Sequence, residues 1–203
     1  MSSSAPNESV PARTESALRR SSWPVLAILV LCAVPVVAAW LAYFVWPPAS
    51  RSNYGELIPP RALSDPELEA SDGRSARLSA LRGKWVLVQI DRADCDAACR
   101  RKLLYMRQLR LMQGKDSERI ERVWLVLDEG PLDRALLRQF EGTRVLRAGR
   151  SALLGEFSPA DALRDHIFLV DPAGNLMLRY PRDPDPNGMK RDLSRLLSVS
   201  RIG

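Results

Sequence analysis

The chain has 203 residues, of which 46% are hydrophobic and 27% are charged. These values are typical of a globular protein and exclude both wholesale disorder and a membrane protein with many spans. The formal charge of +6 comes mainly from arginines interleaved with acidic residues. Because no basic stripe, zinc finger or RNA-binding motif accompanies this charge, we expect no nucleic-acid partner.

The N-terminal quarter predicts a membrane anchor. Residues 1–20 are rich in Ser, Ala and Pro, which is typical of a short disordered tail. Residues 21–46 carry no charge and are long enough to cross a bilayer as one helix, kinked at Pro35. A cleaved signal peptide is the alternative, but its apolar region would be shorter and a small-residue cleavage site would follow it.

The distribution of arginines predicts the orientation of this anchor. Arg13, Arg19 and Arg20 precede the apolar segment, and only Arg51 follows it closely. The positive-inside rule therefore places the N-terminus in the cytoplasm. We expect a single-pass protein of a bacterial inner membrane, with its soluble part in the periplasm.

The soluble part begins with a proline-rich stretch. Residues 47–66 are expected to form an extended tether, and residues 67–203 one domain. Continuous apolar runs at 85–90 and 123–127 predict parallel strands buried on both faces. Helices are predicted after each of them, at 96–113 and 131–140.

The C-terminal part predicts a hairpin and a last helix. Strands at 167–170 and 176–180 flank a turn sequence that contains Pro and Gly, and a helix follows at 187–199. Residues 141–165 show no clear pattern. The predicted order β-α-β-α-β-β-α is a thioredoxin-like α/β fold, preceded by a single N-terminal transmembrane helix.

Two of the three cysteines carry the candidate chemistry. Cys95 and Cys99 fall where the first predicted strand passes into the first helix, whereas Cys32 lies in the membrane segment and is expected to act as a small hydrophobe. On a regular helix the pair would lie on one side, about 5–6 Å apart at Cβ. A disulfide prefers about 4 Å, so two thiolates holding a metal ion need less distortion. A structural disulfide remains the alternative in an oxidising compartment.

The charges around this pair favour reactive thiolates. A helix N-terminus carries positive partial charge, and Arg92, Arg100, Arg101 and Lys102 are close in sequence. His166, the one histidine, precedes the hairpin strand, which the topology brings beside the helix N-terminus. On spacing alone a structural role is the commoner one for such a histidine. Two thiolates and an imidazole suit copper, particularly Cu(I).

Several motifs in this order resemble the Sco/SenC family, membrane-anchored thioredoxin-like proteins that help to assemble the copper sites of cytochrome c oxidase. The resemblance covers roughly residues 65–197 and implies that Cys95, Cys99 and His166 are copper ligands. It also implies an oxidase subunit carrying a copper site as the partner. The motifs are Leu78-x-x-Leu81-Arg82-Gly83-Lys84-Trp85, Cys95-x-x-x-Cys99, Val126-x-Asp128, and His166 followed by Phe168-Leu169-Val170-Asp171-Pro172-x-Gly174.

The sequence differs from the family pattern within the motif and at the histidine. Family members usually have proline inside the cysteine motif and after its second cysteine, where this chain has Asp96, Ala97, Ala98 and Arg100. Their histidine also lies several residues further upstream of the Asp-Pro turn than His166 does. A shift by an odd number of strand residues turns a side chain to the opposite face of a sheet.

Three functions are compatible with these patterns. The first is a copper-binding assembly factor for cytochrome c oxidase, which is not an enzyme in the turnover sense. The second is a periplasmic thiol–disulfide oxidoreductase that keeps the cysteines of the acceptor reduced. The third is a non-catalytic assembly scaffold with a degenerate site.

Overall fold

The structure of the protein is a computed structural model that describes residues 23–45, 53–157 and 162–200. The predicted disordered tail, residues 1–20, lies outside the described residues. The chain divides into two compact units, Met1–Ser50 and Arg51–Gly203.

The first unit contains one helix in its described part, α1, which spans Trp23–Val45. This helix carries no charged residue, and Pro35 lies inside it without ending it. Its stretch Trp23–Ala42 is long and apolar enough to cross a membrane by length and composition, and none of that stretch is buried within the protein. The predicted N-terminal apolar helix is therefore confirmed, and its orientation in a membrane stays a prediction.

The second unit is built on one eight-stranded sheet. Its strands are β1 Glu56–Ala62, β2 Leu68–Ala70, β3 Ser75–Ala76, β4 Trp85–Asp91, β5 Ile120–Val126, β6 Thr143–Arg147, β7 Ile167–Val170 and β8 Asn175–Arg179. Its α-helices in the described residues are α2 Ala97–Leu111, α3 Arg134–Gln139 and α4 Pro186–Val199. Short 3-10 helices occur at Leu78–Leu81, Gly114–Arg119, Ala152–Glu156 and Leu163–Asp165.

The strand order is β1-β8-β7-β4-β5-β6-β2-β3. β4 pairs in parallel with β5, and β5 with β6. β7 is antiparallel to both of its neighbours, β4 and β8. The predicted thioredoxin-like order, with its parallel crossover and its hairpin, is confirmed from β4 to α4. One additional strand, β6, lies between α3 and β7 in the region 141–165 and was not predicted.

The edge strand β1 corrects the prediction for residues 47–66. Part of the expected tether, Glu56–Ala62, pairs with β8 and closes one side of the sheet. Pro59 and Pro60 are compatible with an edge strand, because one side of such a strand forms no ladder hydrogen bonds and does not need the missing N–H groups. The segment is held to α4, because Asp192 accepts hydrogen bonds from the backbone N–H groups of Tyr54 and Gly55, at 2.9 and 2.7 Å.

The side chains of the sheet form two cores, one on each face. The first, which we call the cysteine face, joins Cys95 and Cys99 to the buried side chains of α2 and α4. The second, the opposite face, contains Val86, Val88 and Phe168. Because successive side chains of a strand point to opposite faces, every residue of the central strand β4 is buried.

Candidate functional site

Cys95 and Cys99 lie where the central strand passes into α2. β4 ends at Asp91, Asp96 caps the helix, and α2 begins at Ala97. Asp96 suits this position because its carboxylate accepts the backbone N–H of Cys99 at 2.9 Å, a donor that the first helical turn leaves without a partner. Cys99 thus lies in the first turn of α2, whereas Cys95 precedes the helix.

The predicted arrangement of the two cysteines on one helical turn is wrong. The backbone at Cys95 has a φ of +34°, in the left-handed region that residues other than glycine rarely adopt. Because the helix starts only at Ala97, the chain can turn at Cys95 and bring its Cα atom to 5.1 Å from that of Cys99. This separation lies within the range of natural disulfides, and the two residues form one.

The disulfide is buried. Cys95 is 1% exposed and Cys99 is 0% exposed. Exchange with an external thiol requires a thiolate to reach one of the two sulfur atoms. Such exchange therefore requires a local opening. The segment between the end of β4 at Asp91 and the start of α2 at Ala97 belongs to neither element, so it is the part of the site that can open.

Gln89 is the side chain that meets the sulfur of Cys99. Its Nε2 atom donates a hydrogen bond to Sγ of Cys99 at 3.3 Å, and Gln89 is 0% exposed. Its Oε1 atom is buried and accepts no hydrogen bond from the described part of the chain. The sequence signal for this residue was a carboxamide inside an otherwise apolar run, since a polar group in a doubly buried strand needs a partner.

A buried carboxylate at the end of β4 joins two neighbouring segments. Asp91 accepts hydrogen bonds from Nζ of Lys102 at 2.9 Å and from Nε of Arg164 at 2.6 Å. Arg164 also binds the carboxylate of Asp96 at 3.0 Å. These charges line a polar cleft of about 420 Å³ beside α2. The cluster fixes the segment before β7 against the start of α2, and it was not predicted from the sequence.

The electrostatics of the helix start follow from these contacts. The pKa of Asp96 is lowered, mainly because its carboxylate accepts the backbone N–H of Cys99. Partial burial of the carboxylate acts in the opposite direction, and the positive charge of Arg164 lowers the pKa further. The hydrogen bond to Asp91 raises the pKa of Arg164. The cap of α2 is therefore a carboxylate at neutral pH.

Three of the basic residues that the sequence places near the cysteines bind oxygen atoms. Arg92 forms an ion pair with Asp128 at 3.2 Å, and Lys102 forms one with Asp91. Nε of Arg100 donates to the backbone oxygen of Cys95 at 3.1 Å. Neighbouring carboxylates thus offset part of the positive charge that the sequence predicts around the thiols.

His166 lies immediately before β7, where the sequence places it, but on the other side of the sheet from the disulfide. Its Nδ1–H donates to the backbone oxygen of Tyr180 at 2.7 Å, and its ring lies 6.0 Å from the ring of Phe168. Phe168 belongs to the core of the opposite face, whereas Ile167 belongs to that of the cysteine face. The alternation along this extended segment turns the imidazole away from Cys99.

The three predicted metal ligands are not brought together in the described residues. Within them, no group of three or more His, Cys, Asp or Glu side chains could hold a metal ion. The sulfur atoms of Cys95 and Cys99 are bonded to each other, and His166 faces away. In this disulfide form the donor set does not fit a copper ion, which requires free thiolates.

A β-α-β-α-β-β-α core with a cysteine pair between the central strand and its helix defines a thioredoxin-like protein. The chain belongs to the family described as transmembrane-like, thioredoxin-like, C-terminal domain, whose model matches residues 85–200. The match runs from the start of β4 to the end of α4. No curated protein matches the sequence significantly.

Solved structures with this fold include Sco proteins and a thiol–disulfide oxidoreductase. Yeast Sco1 with copper bound is 14% identical with a TM-score of 0.58, over 70% of this chain and 96% of that one. BsSco, a Sco-family cytochrome c oxidase assembly protein with a disulfide switch, is 14% identical with a TM-score of 0.52, over 71% and 99%. The thioredoxin domain of a thiol–disulfide oxidoreductase from Bacteroides vulgatus is 20% identical with a TM-score of 0.51, over 70% and 97%. At these identities the likeness establishes the fold, and the Sco/SenC-like resemblance is confirmed at that level.

Proposed function

We propose that this chain is a membrane-anchored, Sco/SenC-type protein that assists the assembly of cytochrome c oxidase by thiol–disulfide exchange at Cys95 and Cys99. The observation that carries the proposal is the disulfide between these residues at the N-terminus of α2. Two cysteines four residues apart close a very small loop, which constrains the unfolded chain little. A redox role therefore accounts for the bridge better than a purely stabilising one.

The chemistry follows from the different places of the two cysteines. Cys95 lies on the irregular segment before the helix, so a local opening exposes its sulfur first. In the reduced protein its thiolate attacks a disulfide of the partner, forming a mixed disulfide and releasing one partner thiol. Cys99, fixed in the first turn of α2, then attacks the Cys95 sulfur and releases the second thiol. Two electrons pass to the partner, and the chain ends in the disulfide form.

The anchor determines where this exchange takes place. With the N-terminus in the cytoplasm, α1 crosses a bacterial inner membrane and the thioredoxin-like domain lies in the periplasm. The partner is then the oxidase subunit that carries a copper site, whose cysteines must be reduced before they can bind copper. BsSco, which shares the fold, is itself an assembly protein of this oxidase.

The test uses the reduced full chain in detergent micelles and the oxidised copper-bearing domain of the oxidase subunit. We expect two new thiols in the partner domain for each chain oxidised, counted by alkylation and mass spectrometry. Cys99→Ser should accumulate the mixed disulfide through Cys95, and Cys95→Ser should form none. Absence of both thiol transfer and mixed disulfide would reject the exchange and leave copper delivery or a non-catalytic scaffold.

Copper delivery is the second candidate, favoured by the copper bound to the structural neighbour yeast Sco1. Reduction would free two thiolates of Cys95 and Cys99, and His166 would have to move to the cysteine face to join them. Anaerobic titration of Cu(I) into the reduced full chain distinguishes a three-ligand copper site, a site with sulfur ligands alone, and a chain that binds no copper. One tightly bound copper, lost in both cysteine variants and in His166→Ala, supports a three-ligand site. Copper that is retained in His166→Ala indicates sulfur ligands without the histidine. If the wild-type chain binds no stoichiometric copper, copper delivery is rejected.

A further inference from the structure

The contact between Gln89 and Cys99 is unusual because both groups are fully buried and only half of the carboxamide is used. Nε2 of Gln89 donates to Sγ of Cys99 at 3.3 Å. Its Oε1 accepts no hydrogen bond within the described residues. A buried acceptor without a donor has lost the hydrogen bond that water would give it. The oxidised site therefore retains an unsatisfied oxygen next to a reacting sulfur.

The two redox states of Cys99 differ in what they offer to this carboxamide. A disulfide sulfur is a weak acceptor and has no proton to donate. A thiol can donate its S–H to Oε1 after a rotation of the amide, and a thiolate accepts a charge-assisted hydrogen bond from Nε2. Either reduced form therefore gains more from Gln89 than the disulfide does.

We propose that Gln89 sets the redox equilibrium of the Cys95–Cys99 pair by hydrogen-bonding the sulfur of Cys99 more strongly in the dithiol form than in the disulfide form. The proposal rests on the thiol–disulfide exchange proposed above. Gln89 shifts the pair towards the dithiol, the state that donates electrons to the acceptor. The half-reaction is the disulfide plus two electrons and two protons giving two thiols, with glutathione as the reductant in the test.

The place of Gln89 in the fold supports a direct effect on Cys99. Gln89 lies on β4 and pairs with Ile167 of β7, whose side chain belongs to the core of the cysteine face. The central strand is hydrogen-bonded on both sides, to β5 and to β7. The carboxamide is therefore held by a strand that is paired on both sides, and it stays beside the start of α2 when the irregular segment at Cys95 opens.

The test compares Gln89→Met with Gln113→Met in the full chain in detergent. Methionine keeps the length of the side chain and removes the hydrogen bonds. Gln113 is a matched control, because half of its carboxamide is likewise buried without a partner in the described residues: its Nε2 has none, while its Oε1 accepts a hydrogen bond from Ser194 at 2.8 Å. It lies beyond the other end of α2 from the disulfide. Each protein is equilibrated with reduced and oxidised glutathione, and the fraction of Cys95–Cys99 disulfide is measured by alkylation and mass spectrometry.

We expect Gln89→Met to shift the equilibrium about tenfold towards the disulfide, a fall of about 30 mV in reduction potential. Gln113→Met should stay within twofold of the wild type. A folded Gln89→Met protein with the wild-type equilibrium, or one shifted towards the dithiol, would overturn the proposal. Because the equilibrium is measured against glutathione, this outcome is independent of whether the oxidase domain is a substrate.

A second measurement covers the case in which Gln89→Met does not fold. The side-chain amide of Gln89 in the wild-type chain is followed by ¹⁵N–¹H NMR before and after reduction. We expect its proton resonances to move and its exchange with solvent to slow on reduction. Unchanged resonances in the two states would overturn the proposal.

Discussion

His166 and Phe168 pack edge to face with their ring centroids 6.0 Å apart. Phe168 lies in the core opposite the cysteines, so this contact assigns the imidazole to the side of the sheet away from the disulfide. A redox role for the cysteine pair is compatible with this arrangement, whereas a three-ligand copper site requires the histidine segment to rearrange.

The first prediction concerns His166. Replacement by alanine should leave the rate of thiol–disulfide exchange within about twofold of the wild type, because the ring contacts neither sulfur. Stopped-flow mixing of the reduced chain with a disulfide substrate measures this rate, and Cys95→Ser provides the inactive reference. A tenfold loss in His166→Ala, with the fold retained, would show that the imidazole reaches the pair during exchange.

The second prediction concerns the buried ion pair between Asp91 and Lys102, whose side chains are 2% and 6% exposed. Lys102→Met should lower the free energy of unfolding by about 3 kcal/mol, because removing one partner leaves a buried carboxylate only partly compensated by Arg164. Arg182→Met breaks the ion pair with Asp165 in which the arginine is 81% exposed, and it should cost less than about 1 kcal/mol. Urea denaturation measures the free energy of unfolding of both variants. Equal losses in the two would contradict a larger contribution from the buried ion pair.

The third prediction concerns Gly188, which lies in the first turns of α4 beneath the ring of Tyr54. A Cβ atom at Gly188 would lie 2.5 Å from that ring, whereas one at Gly155 would meet nothing within 4 Å. Gly188→Ala should therefore destabilise the protein by about 1–3 kcal/mol through overpacking, although alanine normally favours a helix. Thermal unfolding measures the difference. A stabilised Gly188→Ala, or a Gly155→Ala that is destabilised as much, would show that Tyr54 does not pack tightly on α4.

The fourth prediction concerns the cap of α2. Asp96→Ala should cost about 1 kcal/mol of stability at neutral pH, through loss of the hydrogen bond from Cys99. The pKa of Asp96 in the folded protein lies below its ordinary value of 3.8. Its contribution is therefore fully present above that value and is lost as the pH falls through the lower folded pKa. Denaturation at neutral and strongly acidic pH should show the two proteins converging in acid, and a constant difference would contradict the role of the carboxylate.

Long apolar runs made the centre of the fold predictable. The runs that became β4 and β5, and the turn between β7 and β8, placed the core of the sheet correctly. β6 was not predicted because its apolar run, Val145-Leu146, is only two residues long and is flanked by Arg144 and Arg147. β1 was hidden by Pro59-Pro60, since prolines are typical of loops as well as of edge strands.

The candidate site was predictable in position but not in bonding. The spacing of Cys95 and Cys99 indicated the junction of strand and helix. The disulfide depends on the backbone turn at Cys95, which a regular helix does not contain. The contacts of Asp91 with Lys102 and Arg164 join residues 11 and 73 positions apart, so no local pattern could reveal them.

The redox role of Cys95 and Cys99 is tested most directly by the transfer of electrons from the reduced full chain to the oxidised copper-bearing domain of the oxidase subunit. Thiols appearing in that domain are counted as the Cys95–Cys99 disulfide forms in the chain. Thiol–disulfide exchange should give two partner thiols for each disulfide formed, and a trapped mixed disulfide with Cys99→Ser. A reduced chain that stays reduced beside the oxidised domain, with no mixed disulfide in either cysteine variant, would contradict it.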